Sequence, residues 1–200
     1  MEQISYYVSI FAFVVVIACW FVFAFTFLLR KKPESGKETV RASRSILGIV
    51  LQGVGFGSVW AIRRTPMFSP VVESQYVLNI VLETLGIIVA VASVWLATSA
   101  IRELGRQWSF AARLVEGHDL VTGGVYNIVR HPIYTAMFGM LISTAIIMTR
   151  WYVAVPAAAI FLIGTLIRTR SEEKLLKDAF GGEYDAYAAK VPAILPFARF

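Results

Sequence analysis

The sequence predicts an all-α integral membrane protein of five transmembrane helices, with a polar C-terminal region on the cytosolic side. Three observations lead there. Of 200 residues, 58% are hydrophobic and only 16% charged, against about 25% charged in soluble domains. Five stretches run nearly free of charge for the ~17–25 residues a helix needs to cross a bilayer. The basic residues between those stretches fall almost entirely on one side.

The first stretch covers residues 3–29. Only Glu2 precedes it, so it lacks the basic start of a secretory signal; it is too long for a signal core, and Arg30-Lys31-Lys32 follows it, so it reads as a retained span. The second covers residues 45–62. The third runs from about 74 to 101 and is broken by Glu83, for which a helix–helix hydrogen bond or snorkelling is expected. The fourth and fifth, residues 131–149 and 151–167, are separated by Arg150 alone and must form a tight antiparallel hairpin. Small residues four apart, Gly53 and Gly57 in the second and Thr135, Gly139 and Ser143 in the fourth, mark expected close helix contacts. Beyond the fifth span the helix should continue, with Leu175, Leu176, Ala179 and Phe180 as an apolar stripe and Gly181-Gly182 as its stop.

With the N-terminus outside, 16 of the 19 basic residues lie inside; Arg63, Arg64 and Arg150 remain outside. The positive-inside rule therefore gives five spans, N-terminus out and C-terminus cytosolic, in a bacterial inner membrane or the endoplasmic reticulum. The net charge of +6 is a topology signal split among short loops, and nucleic acid is excluded as a partner. Cys19 is the sole cysteine, which excludes internal disulfides, and no Cys/His spacing suits a metal.

The chain divides at residue 101. Residues 1–101 hold helices one to three. Residues 102–200 hold the hairpin (131–167), a 29-residue connector before it with Trp108, Phe110 and Leu114 suited to the membrane interface, and the C-terminal segment. The connector ends in Gly123-Gly124-Val125-Tyr126-Asn127-Ile128-Val129-Arg130-His131-Pro132-Ile133-Tyr134. Pro132 suits the first position of a helix, whose free N–H groups and dipole favour an anionic group. The other histidine, His118, lies 13 residues upstream. Because the hairpin returns the chain to the same face, Arg130, His131, Pro132 and Tyr134 should meet Arg168, Arg170, Glu172 and Glu173. Together with Gly123, Gly124 and Tyr126 they offer turns, aromatic faces, a carboxylate pair and cations. These suit a nucleotide-like cofactor of mixed charge, and an arginine there can hold a carboxylate in a forked pair.

At these residues the chain resembles the isoprenylcysteine carboxyl methyltransferases and their relatives, the phospholipid methyltransferases. The motifs are Gly124-Val125-Tyr126, Arg130-His131-Pro132-Ile133-Tyr134, Glu172-Glu173 and Phe180-Gly181-Gly182-Glu183-Tyr184-Asp185-Ala186-Tyr187, preceded by Leu104-Gly105-Arg106-Gln107-Trp108-Ser109. The likeness covers residues 102–200. It implies a membrane enzyme that binds S-adenosylmethionine through its last spans and C-terminal segment. Tyr126, His131, Pro132 and Tyr134 would line the adenosine and methionine parts, Glu172 and Glu173 would close the pocket, and Gly124 and Arg130 belong to the same cofactor-binding set. His131, Arg168 and Glu172 are the catalytic candidates. The methyl acceptor would be a lipophilic molecule entering from the bilayer, an isoprenylcysteine-type carboxylate in the first instance. A carboxylate needs no general base; an amine or hydroxyl does, and His131 is nearest. Two further readings are an N-methyltransferase acting on phospholipid amines and an NADPH-dependent reductase resembling sterol reductases, which share Arg-His-Pro-x-Tyr and a closing segment like Val191-Pro192…Pro196-Phe197. A non-enzymatic membrane protein is disfavoured because polar residues gather at one cytosolic end.

Overall fold

A computed structural model describes residues 1–29, 38–41, 45–105, 113–115 and 119–195, with backbone alone at 38–41 and 113–115. His118, Trp108, Phe110, Arg106 to Ser109, Pro196 and Phe197 lie outside the described residues, as does the Leu114 side chain.

Each apolar stretch is a helix. In chain order these are α1 (Glu2–Leu28), α2 (Ser45–Ala61), α3 (Tyr76–Leu104), α4 (Pro132–Met148) and α5 (Trp151–Phe180), followed by α6 (Gly182–Lys190). Helices α1, α3 and α5 are long and apolar enough to cross a membrane; α2 and α4 are apolar but have 17 residues each. The helix caps follow local chemistry. Pro132 occupies the first turn of α4, Gly105 ends α3 at φ 54°, and Gly181 ends α5 at φ 52°, a conformation glycine adopts without a Cβ penalty. The fifth helix runs 13 residues past the expected span end at 167, and at ~1.5 Å per residue it outreaches a ~30 Å hydrocarbon core. One departure from the all-α reading occurs in the connectors, and one further helix forms in the tail. A two-stranded antiparallel ribbon pairs β1 (Glu38–Arg41) with β2 (Arg113–Val115), and the tail folds into α6, a short helix that its sparse apolar residues did not announce.

The fourth helix is the hub. One core cluster joins it to α1 and α3 through Val16, Ala90, Ala97, Ala136 and Met140. Another joins it to α2 and α5 through Val59, Leu141, Ala145 and Phe161. Thr149 and Arg150 make the α4–α5 turn, so the hairpin is as tight as the sequence requires.

The expected close contacts are partly relocated. Gly139 does pack against Ser93 and Val89 of α3. Gly53 and Gly57, in contrast, have nothing within 4 Å of where a Cβ would stand. The α2–α5 approach is made instead by Gly48, Gly55 and Gly164: a Cβ on Gly55 would stand 2.8 Å from the Ala157 carbonyl oxygen, and one on Gly164 would stand 2.7 Å from that of Gly48. An apolar helix in lipid has no polar face to reveal which side packs, so spacing alone chose the wrong glycines.

Polar groups are not confined to one end, contrary to the sequence expectation. At the other end Glu83 is fully buried and accepts from Ser9 Oγ at 2.8 and 2.9 Å, and Arg64 Nη2 lies 3.5 Å from it. Arg64, one of the three basic residues the sequence leaves on the outer side, is 2% exposed and donates to the Ile147 carbonyl at 2.6 Å. The helix–helix hydrogen bond is therefore the role Glu83 takes, in preference to snorkelling.

Gly55→Ala and Gly164→Ala should each destabilise the protein by ~1–3 kcal/mol through backbone overlap. Gly53→Ala should be neutral or stabilise by up to ~1 kcal/mol. Thermal unfolding in detergent compares the three; equal effects at Gly53 and Gly55 would place the α2–α5 contact on another face.

Candidate active site

The site is assembled where α4 begins and α5 emerges. Before α4, Gly124 opens a 3-10 turn (Gly124–Asn127) at φ 57°, with the Glu103 side chain where a Cβ would stand. That turn buries Tyr126 with Val125 against Ala100, Leu104 and Ile133. The Tyr126 carbonyl accepts from Tyr187 Oη of α6 at 2.7 Å.

The tail then closes over the start of α4. The Arg130 and His131 amides donate to the Pro192 and Ala193 carbonyls at 2.8 and 2.9 Å, and Thr135 Oγ1 donates to that of Ile194 at 2.5 Å. The two amides just before α4 are thus used by the chain itself. An extended tail can reach them because α6 returns the chain to the segment before α4, where Tyr187 and Ala188 meet Tyr126 and Arg130, which the sequence did not show.

Charge converges as the hairpin predicted. Arg130 donates to Glu173 Oε1 from Nε and Nη2 at 3.0 and 2.7 Å, and from Nη1 to the Ala188 and Val191 carbonyls at 3.0 and 2.5 Å. It therefore caps the C-terminal end of α6, as cationic side chains do, while pairing with α5. His131 lies between the carboxylates, Nε2 3.1 Å from Glu173 Oε1 and Nδ1 3.4 Å from Glu172 Oε2. Tyr134 Oη donates to Glu172 Oε1, and the His131 and Tyr134 rings stack at 5.8 Å. Arg168 is buried, its guanidinium 4.8 Å from the Tyr134 ring centroid, with Nη1 donating to Gln52 Oε1 of α2 at 2.9 Å. Gly123 is the extended residue before the turn, Pro132 is buried at the start of α4, and Arg170 is exposed.

His131 stands just before α4, and Glu173 lies on the part of α5 beyond the span. Burial favours the neutral form of His131, but hydrogen bonds and attraction from Glu172 and Glu173 outweigh it and raise the imidazole above 6.5. Burial likewise opposes charge on Glu173, yet His131 and Arg130 lower it to about 2. Burial and Glu173, against an opposing pull from Arg130, bring Tyr187 up to about 12. Neither Gln52 nor Glu103 is singled out by the sequence, and Tyr187 enters there as the end of the Phe180–Tyr187 motif. Gln52 had one available signal, a primary amide alone in an apolar span.

Apolar spanning helices around a cluster of titratable and aromatic groups define a helical membrane protein with a polar site at one end. Residues 81–183, just over half the chain, match the phospholipid methyltransferase family model, and the chain belongs to that family. It is 33% identical over 106 residues to protein-S-isoprenylcysteine O-methyltransferase B of Arabidopsis thaliana, covering 52% of this chain and 54% of the relative. It is 30% identical over 104 residues to protein-S-isoprenylcysteine O-methyltransferase of Schizosaccharomyces pombe, covering 51% and 44%. It is 38% identical over 82 residues to the human protein of that name, covering 41% and 29%. The chain thus spans about half the length, or less, of these relatives.

The His131 arrangement makes stability depend on pH. A group raised in the folded state stabilises fully below its unfolded value of ~6.5, and that contribution is lost as pH rises through the folded value. Glu173, lowered to about 2, contributes fully above its unfolded value of ~4.5 and loses that contribution progressively as pH falls from there toward about 2. The unfolding temperature in detergent should therefore fall as pH rises above ~6.5, and His131→Asn should abolish that slope. A flat wild-type profile through this range would show that His131 is not held charged between the carboxylates.

Proposed function

We propose that the protein is an integral membrane methyltransferase that uses S-adenosylmethionine to methylate a lipophilic acceptor, an isoprenylcysteine-type carboxylate. The observation that carries this reading is the meeting of His131, Tyr134, Arg168, Glu172 and Glu173 at one end of the hairpin, within the residues that match the family. Similarity to protein-S-isoprenylcysteine O-methyltransferases supports the acceptor class.

These residues fit the cofactor by their chemistry. Glu172 and Glu173 have side chains 23% and 26% exposed, so the pair keeps a face open toward positive ligand groups. The Tyr126 and Tyr134 rings supply apolar walls and π faces that attract cations. When bound, S-adenosylmethionine supplies a methyl group made electrophilic by a sulfonium. Glu172 holds positive charge at the pocket and orients His131 and Tyr134. Glu173 and Arg130 lock the pocket wall to α6. Arg168, buried beside Tyr134, is the cation for the acceptor's carboxylate, and holding both reactants in place supplies much of the rate enhancement. Both ring nitrogens of His131 are turned to carboxylates, Nδ1 to Glu172 and Nε2 to Glu173, which leaves neither free to act as a general base. That favours a carboxylate, which needs none, over a phospholipid amine.

The membrane arrangement we propose has five spans, with the N-terminus outside and the site on the cytosolic face. Of the three basic residues on the outer side, Arg64 and Arg150 lie beside Glu83 and Glu73 at 3.5 Å each, which deepens the charge asymmetry.

Purified protein should bind S-adenosylhomocysteine and gain thermal stability by mass action, with little response to NADPH. Glu172→Gln should weaken that binding about 10-fold through loss of a charged interaction of ~1.5–3 kcal/mol. Glu173→Gln should in addition lower the unfolding temperature, because it releases Arg130. Saturable NADPH binding without a response to S-adenosylhomocysteine would identify a reductase.

For topology, single cysteines at Asn127 and Arg63 in a Cys19→Ser background should react with a membrane-impermeant thiol reagent from opposite sides, Asn127 from the cytosol. S-adenosylhomocysteine should slow labelling at Asn127 only. Labelling of both from one side excludes the five-span arrangement.

A further inference from the structure

Gln52 on α2 reaches the site from outside the family-matching residues 81–183. It is 2% exposed, and both ends of its amide are engaged. Nε2 donates to Thr165 Oγ1 at 2.9 Å, and Oε1 accepts from Arg168 Nη1 at 2.9 Å. The Thr165 hydroxyl fixes the amide in this sense. It donates its single proton to the Phe161 carbonyl at 2.9 Å, so toward Gln52 it can only accept, and the amide oxygen must face Arg168. One turn earlier, Gly48 leaves room for the Arg168 stem; a Cβ there would overlap the Arg168 Cγ. The second helix thus supplies both the space for this arginine and an acceptor that orients it. Held in this way, the guanidinium lies over Tyr134, whose hydroxyl donates to Glu172, and Glu172 in turn faces His131.

We propose that Gln52 is a positioning residue for methyl transfer: it fixes Arg168 against Tyr134, and α2 thereby sets where the acceptor's carboxylate is held. This inference rests on the methyltransferase reading above. Gln52 touches neither cofactor nor acceptor and acts through Arg168, so its loss should fall on acceptor use and spare cofactor binding.

The test compares Gln52→Leu, which keeps volume and loses the acceptor oxygen, with Gln52→Glu, which keeps an acceptor toward Arg168 and loses the donor to Thr165. Ser58→Ala on α2 is the control; among the described residues the Ser58 hydroxyl bonds its own helix, at the Val54 carbonyl. The probe is a farnesylated cysteine with a free carboxylate. Gln52→Leu should lower kcat/KM for this acceptor about 10-fold, with S-adenosylhomocysteine affinity and unfolding temperature near wild type. Gln52→Glu should restore kcat/KM to within about threefold of wild type. Wild-type kinetics in Gln52→Leu would overturn the proposal alone. So would a parallel loss of stability, cofactor binding and activity that Gln52→Glu does not rescue, which would mark simple packing. A wild-type protein that binds no S-adenosylhomocysteine removes the functional reading and this proposal together. Cofactor binding without turnover of the probe overturns the assignment of Arg168 to a carboxylate, and the proposal with it.

Discussion

Arg130 is the point through which the C-terminal half is held together. Its guanidinium donates to Glu173 on α5 and to two carbonyls at the end of α6, while its amide donates to Pro192 of the tail. One side chain thus fastens the start of α4, the emerging part of α5 and the returning tail. A partly buried ion pair stabilises only when its remaining donors and acceptors are also satisfied, and here the fork of the guanidinium meets that condition. The shape of the candidate pocket depends on this knot, because His131 is oriented by the same Glu173 oxygen.

The two polar clusters do different physical work. At the end opposite the site, Glu83, Ser9, Asn79 and Arg64 are buried together and join α1, α3 and the end of α4. In a membrane, hydrogen bonds of this kind and van der Waals contact replace a hydrophobic driving force between helices. At the site end the carboxylates keep exposed faces and the arginines divide their labour. Arg130 is committed to structure, and Arg168 is set inward beside an aromatic ring. A functional site needs such a division, because a charge that serves a ligand must be held by something other than the ligand.

The family match begins at residue 81 and leaves α1 and α2 outside it. Those helices still shape the site. The second lies along α5 through Gly48, Gly55 and Gly164 and carries Gln52 into contact with Arg168. The candidate site residues therefore sit in the shared half, and part of what orients them comes from the other half.

The sequence by itself determined the five apolar helices, the hairpin and the meeting of Arg130-His131 with Glu172-Glu173. These follow from local properties: the length of charge-free runs, a proline at a helix start, a glycine at a helix end, and a turn too short to allow any other return. Only the tertiary structure decided which way each helix faces and therefore which partner each polar group finds. That is why Gly55 and not Gly53 packs, why the amides just before α4 bind the tail, why Arg64 is buried, and why Gln52 meets Arg168. A helix that is apolar on all sides carries no record of its rotation, and a guanidinium chooses among carboxylate, carbonyl and ligand by distances that exist only once the helices have packed.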